Sequence, residues 1–487
     1  MSIGAYRKLS WFNPQVLALF SCCGHPKRVN FSRHLAKRER GVGSRFDDVS
    51  WAQGVGKVLR LLKAFQNPNV SAALGSGDLP PILLSRMLVG VVGCCHGELD
   101  VIYDTLTEAE KRLDRKTDVL LICGDFQSVR NEDDLECVAC PPKYRQINTF
   151  YKYYSGEKTA PVLTIFVGGN HEASNYLQEL PYGGFVAPNI YYMGYAGAIS
   201  VGGLRIAGIS GIYKNHDYNT PHFEHPPYTE SSLRSVYHTR KEDVERLCRI
   251  TGQVDIFLSH DWPSQITQYG NLQKLLQRKR FLKEDIERNA LGSPPLDEII
   301  LRLQPSYFFA AHLHAKFPAI VPHGEGKETK FLALSKPLPG QDFLQVVEID
   351  NGKVARPEAT DAEMEVLRDL EWLTILRNPN ADSLEESLVK ETLDAIGGEG
   401  GLKVEKSGFV RTARTYDAAS PIRGRRPMAL NENPQTSWLS EKLDLKVDTS
   451  SVHRSSGRAA APAAEGTGLD VQDEPNPEEI DIDLDDV

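Results

Sequence analysis

Apolar runs rich in Val, Ile and Leu begin at Met87 and recur, broken by glycine and polar clusters, to about residue 350: MLVGVVG, DVLLIC, VLTIFV, LRIAGI, DIFLSH, YFFAAH, FLAL and FLQVVEI. Runs this short and this uniformly apolar mark strands covered on both faces, where strict in-out alternation is lost. Between some of them the apolar spacing turns helical, from Leu99 to Leu113 and over residues 272–286. The pattern predicts a layered α/β domain over residues 87–350. Beyond it, Leu367, Leu370, Leu373 and Leu376 recur every third residue with Trp372 and Ile375 beside them, which predicts a helix packed on that domain, within a small appendage over 351–445.

The two ends have another character. Residues 1–86 carry Arg7, Lys8, Lys27, Arg28, Arg33, Lys37, Arg38 and Arg40 against few acids, with frequent Gly and Pro and no sustained period. That composition is shared by mitochondrial transit peptides, but it predicts first a disordered basic extension, dispensable for catalysis. Residues 446–487 turn to Ser, Ala, Gly and Pro and close in DEPNPEEIDIDLDDV, too acidic to build a core, which predicts a disordered tail. Over the 487 residues the formal net charge is -9, so there is no global basic footprint, and contact with nucleic acid must come from a local patch or a bound metal. Eight cysteines without regular spacing, no signal peptide and no long apolar span point to a soluble, reducing compartment and no membrane association. Cys137 and Cys140 form a CxxC with no second pair, which argues against structural zinc.

The chemistry lies where the apolar runs end. MLVGVVG runs into Cys94, Cys95 and His96; DVLLIC into Gly124 and Asp125; VLTIFV into Gly169, Asn170, His171 and Glu172; DIFLS into His260 and Asp261; YFFAA into His312 and His314. Loops at the carboxyl ends of parallel strands bring distant side chains together, and that is where α/β sheets bind ligands. Any one of these motifs occurs by chance. A thiol, a carboxylate, an amide oxygen and several imidazoles together suit a borderline divalent ion, zinc, iron(II) or manganese, better than magnesium or calcium.

The order CxH, GD, GGNHE, His, HxH resembles the calcineurin-like metallophosphoesterases, whose usual pattern is DxH, GD, GNH[DE], H and GHxH. The departure is Cys94 in place of Asp. That substitution, with GCCHGELDVIYD, CGDFQSVRNEDDL, GGNHEASNYLQELPYGG, GISGIYKNHDY, LSHDWP, LGSPP and AHLHAKF, is similar to the RNA lariat debranching enzymes. The resemblance is dense over 87–350, thins into EWLTILR and NENPQTSWL, and covers neither end. It implies an α/β fold, a calcineurin-like metallophosphoesterase β-sandwich flanked by helices, with a small mostly helical C-terminal appendage. It implies that Asp125 bridges two metal positions, one completed by Asn170, His260 and His312 and the other by Cys94, His96 and His314, with one or two divalent transition ions per chain. It implies hydrolysis of the 2'-5' phosphodiester at the branch point of excised intron lariat RNA, in the nucleus and in reach of spliceosome-associated proteins. Metal-activated hydroxide would attack phosphorus, and His171 would protonate the departing 2'-oxygen, with Glu172 a candidate to orient its ring.

Substrate choice is expected in residues 213–238, where Tyr213, Lys214, His216, Tyr218, Tyr228 and Arg234 interleave aromatic and basic groups as recognition of unpaired RNA requires. Residues 143–158 carry a similar mixture, which an amphipathic helix with its tyrosines against the core explains equally well. The alternatives are another phosphoesterase of this fold, acting on phosphoprotein or a cyclic nucleotide, and a non-catalytic scaffold on the same fold.

Overall fold

The computed structural model describes residues 84–354, 364–421 and 430–445. The acidic tail and nearly all of the basic extension therefore lie outside the described residues. In chain order the strands are β1 (Leu84–Val92), β2 (Val119–Ile122), β3 (Thr164–Phe166), β4 (Gly184–Ala187), β5 (Ile190–Tyr192), β6 (Ala196–Val201), β7 (Leu204–Ile209), β8 (Ile256–Ser259), β9 (Tyr307–Ala310), β10 (Phe317–Gly324), β11 (Lys327–Ala333), β12 (Leu344–Val354) and β13 (Val366–Arg368). They form one sheet ordered β12-β1-β2-β3-β5-β4 and another ordered β10-β11-β9-β8-β7-β6-β13. The centre of each is parallel: β1, β2, β3 and β5 in the first, β7, β8, β9 and β11 in the second.

Side-chain alternation explains why the strands read as continuous apolar runs. Val89, Val91, Leu121 and Ile165 point between the sheets and meet Ile206, Ile256, Leu258 and Phe309 from the other side. Their neighbours Leu120, Ile122 and Phe166 point outward, under Leu99, Ile102 and Leu106 of α1 (Leu99–Leu113) and Phe150 of α2 (Phe150–Ser155). On the second sheet Ala207, Phe257 and Phe308 point outward under α3 (Lys241–Cys248), while α4 (Leu272–Arg278), α5 (Leu282–Glu287) and α6 (Pro294–Leu303) cover the rest of that face. Each such Leu, Ile or Phe taken from water is worth about 1.5–3 kcal/mol, so both faces of both sheets contribute. The result is a helix-sheet-sheet-helix sandwich.

Two sequence expectations need correction, and one that the sequence left open is decided. The boundaries at 86/87 and 350/351 both fall inside strands, since Arg86 pairs with Asp350 and Leu84 with Val354 across β1 and β12. The apolar runs stop before the strands do, because exposed strand ends carry polar residues. The helix read over 272–286 is two, broken where Lys279 leaves helical backbone at φ -128 and ψ 70. Finally, the tyrosines of α2 pack down: Tyr153 and Tyr154 are buried, and Tyr153 donates to Asp100 at 2.7 Å.

The appendage is stitched to both sheets. β13 adds to the edge of β6, and α7 (Leu370–Arg377) follows it, started by Asp369 accepting the Trp372 N–H at 2.9 Å. Trp372 and Ile375 of α7, with Leu439 and Leu443 of α9, join the apolar cluster outside the second sheet; α8 (Glu386–Ala395) and α9 (Pro434–Leu443) pack on α7. Gln435 of α9 pairs its amide with the backbone of Phe185, receiving its N–H at 2.8 Å and donating to its C=O at 3.0 Å, so one side chain continues the ladder of β4. An extended strap then crosses the first sheet's helices: the Tyr416 N–H reaches the Arg130 carbonyl at 2.7 Å, and Asn131 donates to the Arg414 carbonyl at 2.6 Å. Beneath it Arg130 is buried between Asp134 and Glu179, each 2.8 Å away, and donates to Thr412 at 2.9 Å.

Candidate metal centre

The loops after β1, β2, β3, β8 and β9 all open at one end of the sandwich. The backbone there is unusual: His96, Asp125, Gln127, His312 and His314 all have φ between 44° and 59°. Side chains with a Cβ rarely occupy this left-handed region, and such strain persists only where the surroundings over-determine it. Glycine serves where close approach forbids any side chain. A Cβ on Gly124 would strike the His260 ring, and one on Gly169 would strike the Asp125 carboxylate.

Asp125 sits at the middle. Its Oδ2 lies 3.5 Å from His96 Nε2, and its Oδ1 lies 3.3 Å from His260 Nε2 and accepts the His171 N–H at 2.9 Å. On the first side, donor atoms of Cys94, His96, Asp125 and His314 all fall within 4.8 Å of one another, and His96 Nε2 faces His314 Nε2 at 3.2 Å. On the second side, His260 Nε2 faces Asn170 Oδ1 at 3.0 Å, and the His312 ring lies 5.0 Å from that of His260. The other ring nitrogen of His260 donates to the Cys123 carbonyl at 2.8 Å, which leaves Nε2 with a lone pair turned toward two oxygen acceptors.

Lone pairs facing lone pairs is an arrangement a cation resolves. Burial, with help from neighbouring imidazoles, lowers His96 to about 4 and His312 to about 3 and holds His314 well below its ordinary value, so these rings are in the neutral form that ligates. Burial and the Asp125 charge push the Cys94 thiol well up. Burial opposes ionisation of Asp125, yet the surrounding imidazoles and the His171 N–H hold its carboxyl well below the usual range. The buried Nδ1 atoms of His171 and His314 have no hydrogen-bond partner. The donor chemistry fits a divalent ion on each side of Asp125.

Glu172 does not orient His171. Its carboxylate accepts the backbone N–H of Phe126 at 2.7 Å, Gln127 at 2.8 Å and Gly169 at 2.9 Å, binding the Asp125 turn to the Asn170 turn. Two further residues escaped the sequence reading. The Gln127 amide lies 3.3 Å from His96 Nδ1, and Asn148 donates to the His96 carbonyl at 2.8 Å, so both steady that ring. Gln127 stands two places past the GD motif, but Asn148 lies in a stretch without any pattern.

The segment 213–238 borders the His260 side. The Tyr213 N–H reaches Asp261 at 3.2 Å, the Tyr213 ring meets Tyr218 edge-on at 5.4 Å, and the Lys214 charge is felt at His312. His216 and Arg234 are exposed. Tyr228 turns inward instead and donates its hydroxyl to Gln178, while Tyr218 packs partly against the core. The segment is pinned from beneath by His238, which bonds Asp217 at 2.6 Å, and by buried Arg240, which donates to the Asp217 carbonyl at 2.7 Å.

Residues 87–316 match the calcineurin-like phosphoesterases, so sandwich and donor sets together define a metal-dependent phosphoesterase. Residues 326–390 match the lariat debranching enzyme C-terminal domain. The chain is 49% identical over 386 residues to lariat debranching enzyme A of Xenopus laevis, covering 74% of this chain and 70% of that one. It is 49% identical to the human lariat debranching enzyme over 387 residues (74% and 69%), and 42% identical to that of Arabidopsis thaliana over 418 residues (82% and 96%). The chain belongs to the lariat debranching enzyme family.

Proposed function

We propose that this chain hydrolyses the 2'-5' phosphodiester at the branch point of lariat RNA, through in-line attack of water at a phosphorus held across Asp125. The observation that carries the reading is the division of the Asp125 carboxylate, Oδ2 toward His96 and Oδ1 toward His260, within a chain of this family. Asn170, His260 and His312 would hold one ion, and Cys94, His96 and His314 the other. The thiol and imidazoles of the Cys94 side favour zinc or iron(II), and the oxygen donors of the His260 side also admit manganese. When bound, such an ion supplies Lewis acidity, neutralising charge on the phosphoryl oxygens and making water a stronger nucleophile.

The protein's own groups do the rest. His171, with its backbone tied to Asp125 and its ring centroid 5.7 Å from that of His96, is the proton donor to the departing 2'-oxygen, an alkoxide too basic to leave unaided. Its buried Nδ1 takes no hydrogen bond, so Nε2 is the atom that carries the proton outward. Tyr213, Lys214, His216 and Arg234 hold the RNA on the His260 side by stacking and charge. Since introns are excised in the nucleus, the enzyme would work there, beside spliceosome-associated proteins.

Chelated protein given back zinc, iron(II), manganese or magnesium, and offered branched RNA, linear RNA, a phosphopeptide and a cyclic nucleotide, tests the reading. Cleavage of branched RNA alone, with a linear product, is expected. Preference for the phosphopeptide or cyclic nucleotide would replace it with another activity of the fold.

A further inference from the structure

The RNA contacts described so far lie on the His260 side of the centre. On the opposite side, beside Cys94, His96 and His314, two partly buried lysines flank one loop: Lys336, just past β11, follows Ser335, whose N–H donates to the Asp342 carbonyl at 3.0 Å, and Lys279, where α4 ends, follows Arg278, whose guanidinium reaches the Asp342 carboxylate at 3.8 Å. The acid of that loop, Asp342, is shared by Arg278 at 3.8 Å and Lys316 at 3.7 Å, and among the described residues no carboxylate lies within ion-pairing distance of Lys279 or Lys336. Burial lowers Lys279, and the Lys336 charge lowers it further. The same Lys336 charge is felt at Cys94, His96 and His314.

The placement of Lys336 is fixed by backbone. Its neighbour Ser335 donates its hydroxyl to the His314 carbonyl at 3.1 Å and its N–H to the Asp342 carbonyl at 3.0 Å. The Gly93 N–H, one residue before Cys94, donates to the Phe343 carbonyl at 3.0 Å. The loop that bears Lys336 is thus tied at one end to the strand leading into Cys94 and at the other to His314. Beside Lys279, the Phe281 ring is 47% exposed, with the ammonium 5.7 Å from its centroid. An exposed aromatic beside one unpaired cation, with a second on the neighbouring loop, has the composition of a single-strand nucleic-acid platform.

Two like charges held together without a counter-ion are costly, and an anion between them removes the cost. The branch nucleotide carries strands at its 2', 3' and 5' positions, more than one rim of a centre can guide. Resting on the debranching reading above, we propose that Lys279 and Lys336 bracket a phosphate of a linear RNA arm leaving over the Cys94 side, with Phe281 stacked on an adjacent base. A branched substrate is then gripped on both rims.

The test uses the full chain, a K279Q/K336Q double variant and F281A, with a complete branched RNA and two shortened ones, each lacking one linear arm. On the complete substrate the double variant should raise KM about tenfold with a smaller change in kcat, and the slope of log affinity against log salt should fall by about 0.7 for the lost phosphate. F281A should raise KM without changing that slope. The KM penalty should vanish on the one substrate whose arm is missing. Equal penalties on both shortened substrates would place the lysines at the scissile group and overturn the proposal. Binding measured with an uncleavable branched RNA separates the two readings. A wild type that binds but does not cleave removes debranching alone, and an unchanged salt slope in the double variant removes this proposal alone.

Discussion

Glu172 accepts the backbone N–H of Phe126 at 2.7 Å, deep inside the protein, and so joins the turn that presents Asp125 to the turn that presents Asn170. The two turns come from different strands, one carrying the carboxylate between the two sides of the centre and the other a donor to the His260 side. Glu172→Ala leaves three buried N–H groups unsatisfied at once, each worth about 1–3 kcal/mol. The variant should melt at a clearly lower temperature and bind less metal, with Glu172→Gln intermediate because it keeps one acceptor oxygen. Calorimetry with elemental analysis checks this; full metal content in Glu172→Ala would refute the joining role.

His171 acts after the RNA is bound. His171→Ala should reduce single-turnover cleavage of branched RNA by about 10²- to 10⁴-fold while leaving the dissociation constant within a few-fold of wild type. An unchanged rate takes His171 out of the reaction.

Cys94 replaces a hard oxygen donor by a soft sulfur that ligates only as the thiolate. Given equal concentrations of competing ions, wild type should retain zinc or iron(II) beside His96 and His314. Cys94→Asp should shift retention toward manganese or magnesium, and Cys94→Ser should lose zinc- and iron-supported turnover. If metal content and rate are the same in all three proteins, Cys94 is not a ligand.

Arg130 neutralises two carboxylates that water does not reach. Arg130→Met leaves Asp134 and Glu179 buried and uncompensated, a loss of about 3–5 kcal/mol in urea unfolding. Thr412→Val removes two hydrogen bonds from the same cluster, one accepted from Arg130 and one donated to Glu179, and should cost about 2 kcal/mol. Equal losses from both would mean the strap, not the ion cluster, carries the stability.

The strands were legible because burial on both faces writes itself as uninterrupted Val, Ile and Leu, and the donor residues were legible because each closes such a run. What brings them together was not. Nothing in the identities of His96, Asp125, His312 or His314 announces left-handed backbone, since no glycine marks those positions. Glu172 reads as an acid beside a histidine, and only the folded chain shows it turned onto three backbone groups. Residues 272–286 hold good helix formers throughout, so the break at Lys279 has no local cause in composition. Tyr228 looks the same in the sequence as Tyr213, although its hydroxyl is spent on Gln178.

The strap over Arg130 has a consequence in time. Thr412 lies 282 residues beyond the guanidinium it caps, and Arg414 lies 283 beyond Asn131. Synthesis delivers every donor of the centre, His314 included, well before it delivers that cover. On the ribosome, then, the corner just downstream of Asp125 stays open to water after the sheets can already have paired, and it closes when the strap emerges. Closure of that corner waits on residues far in sequence from the loop they seal.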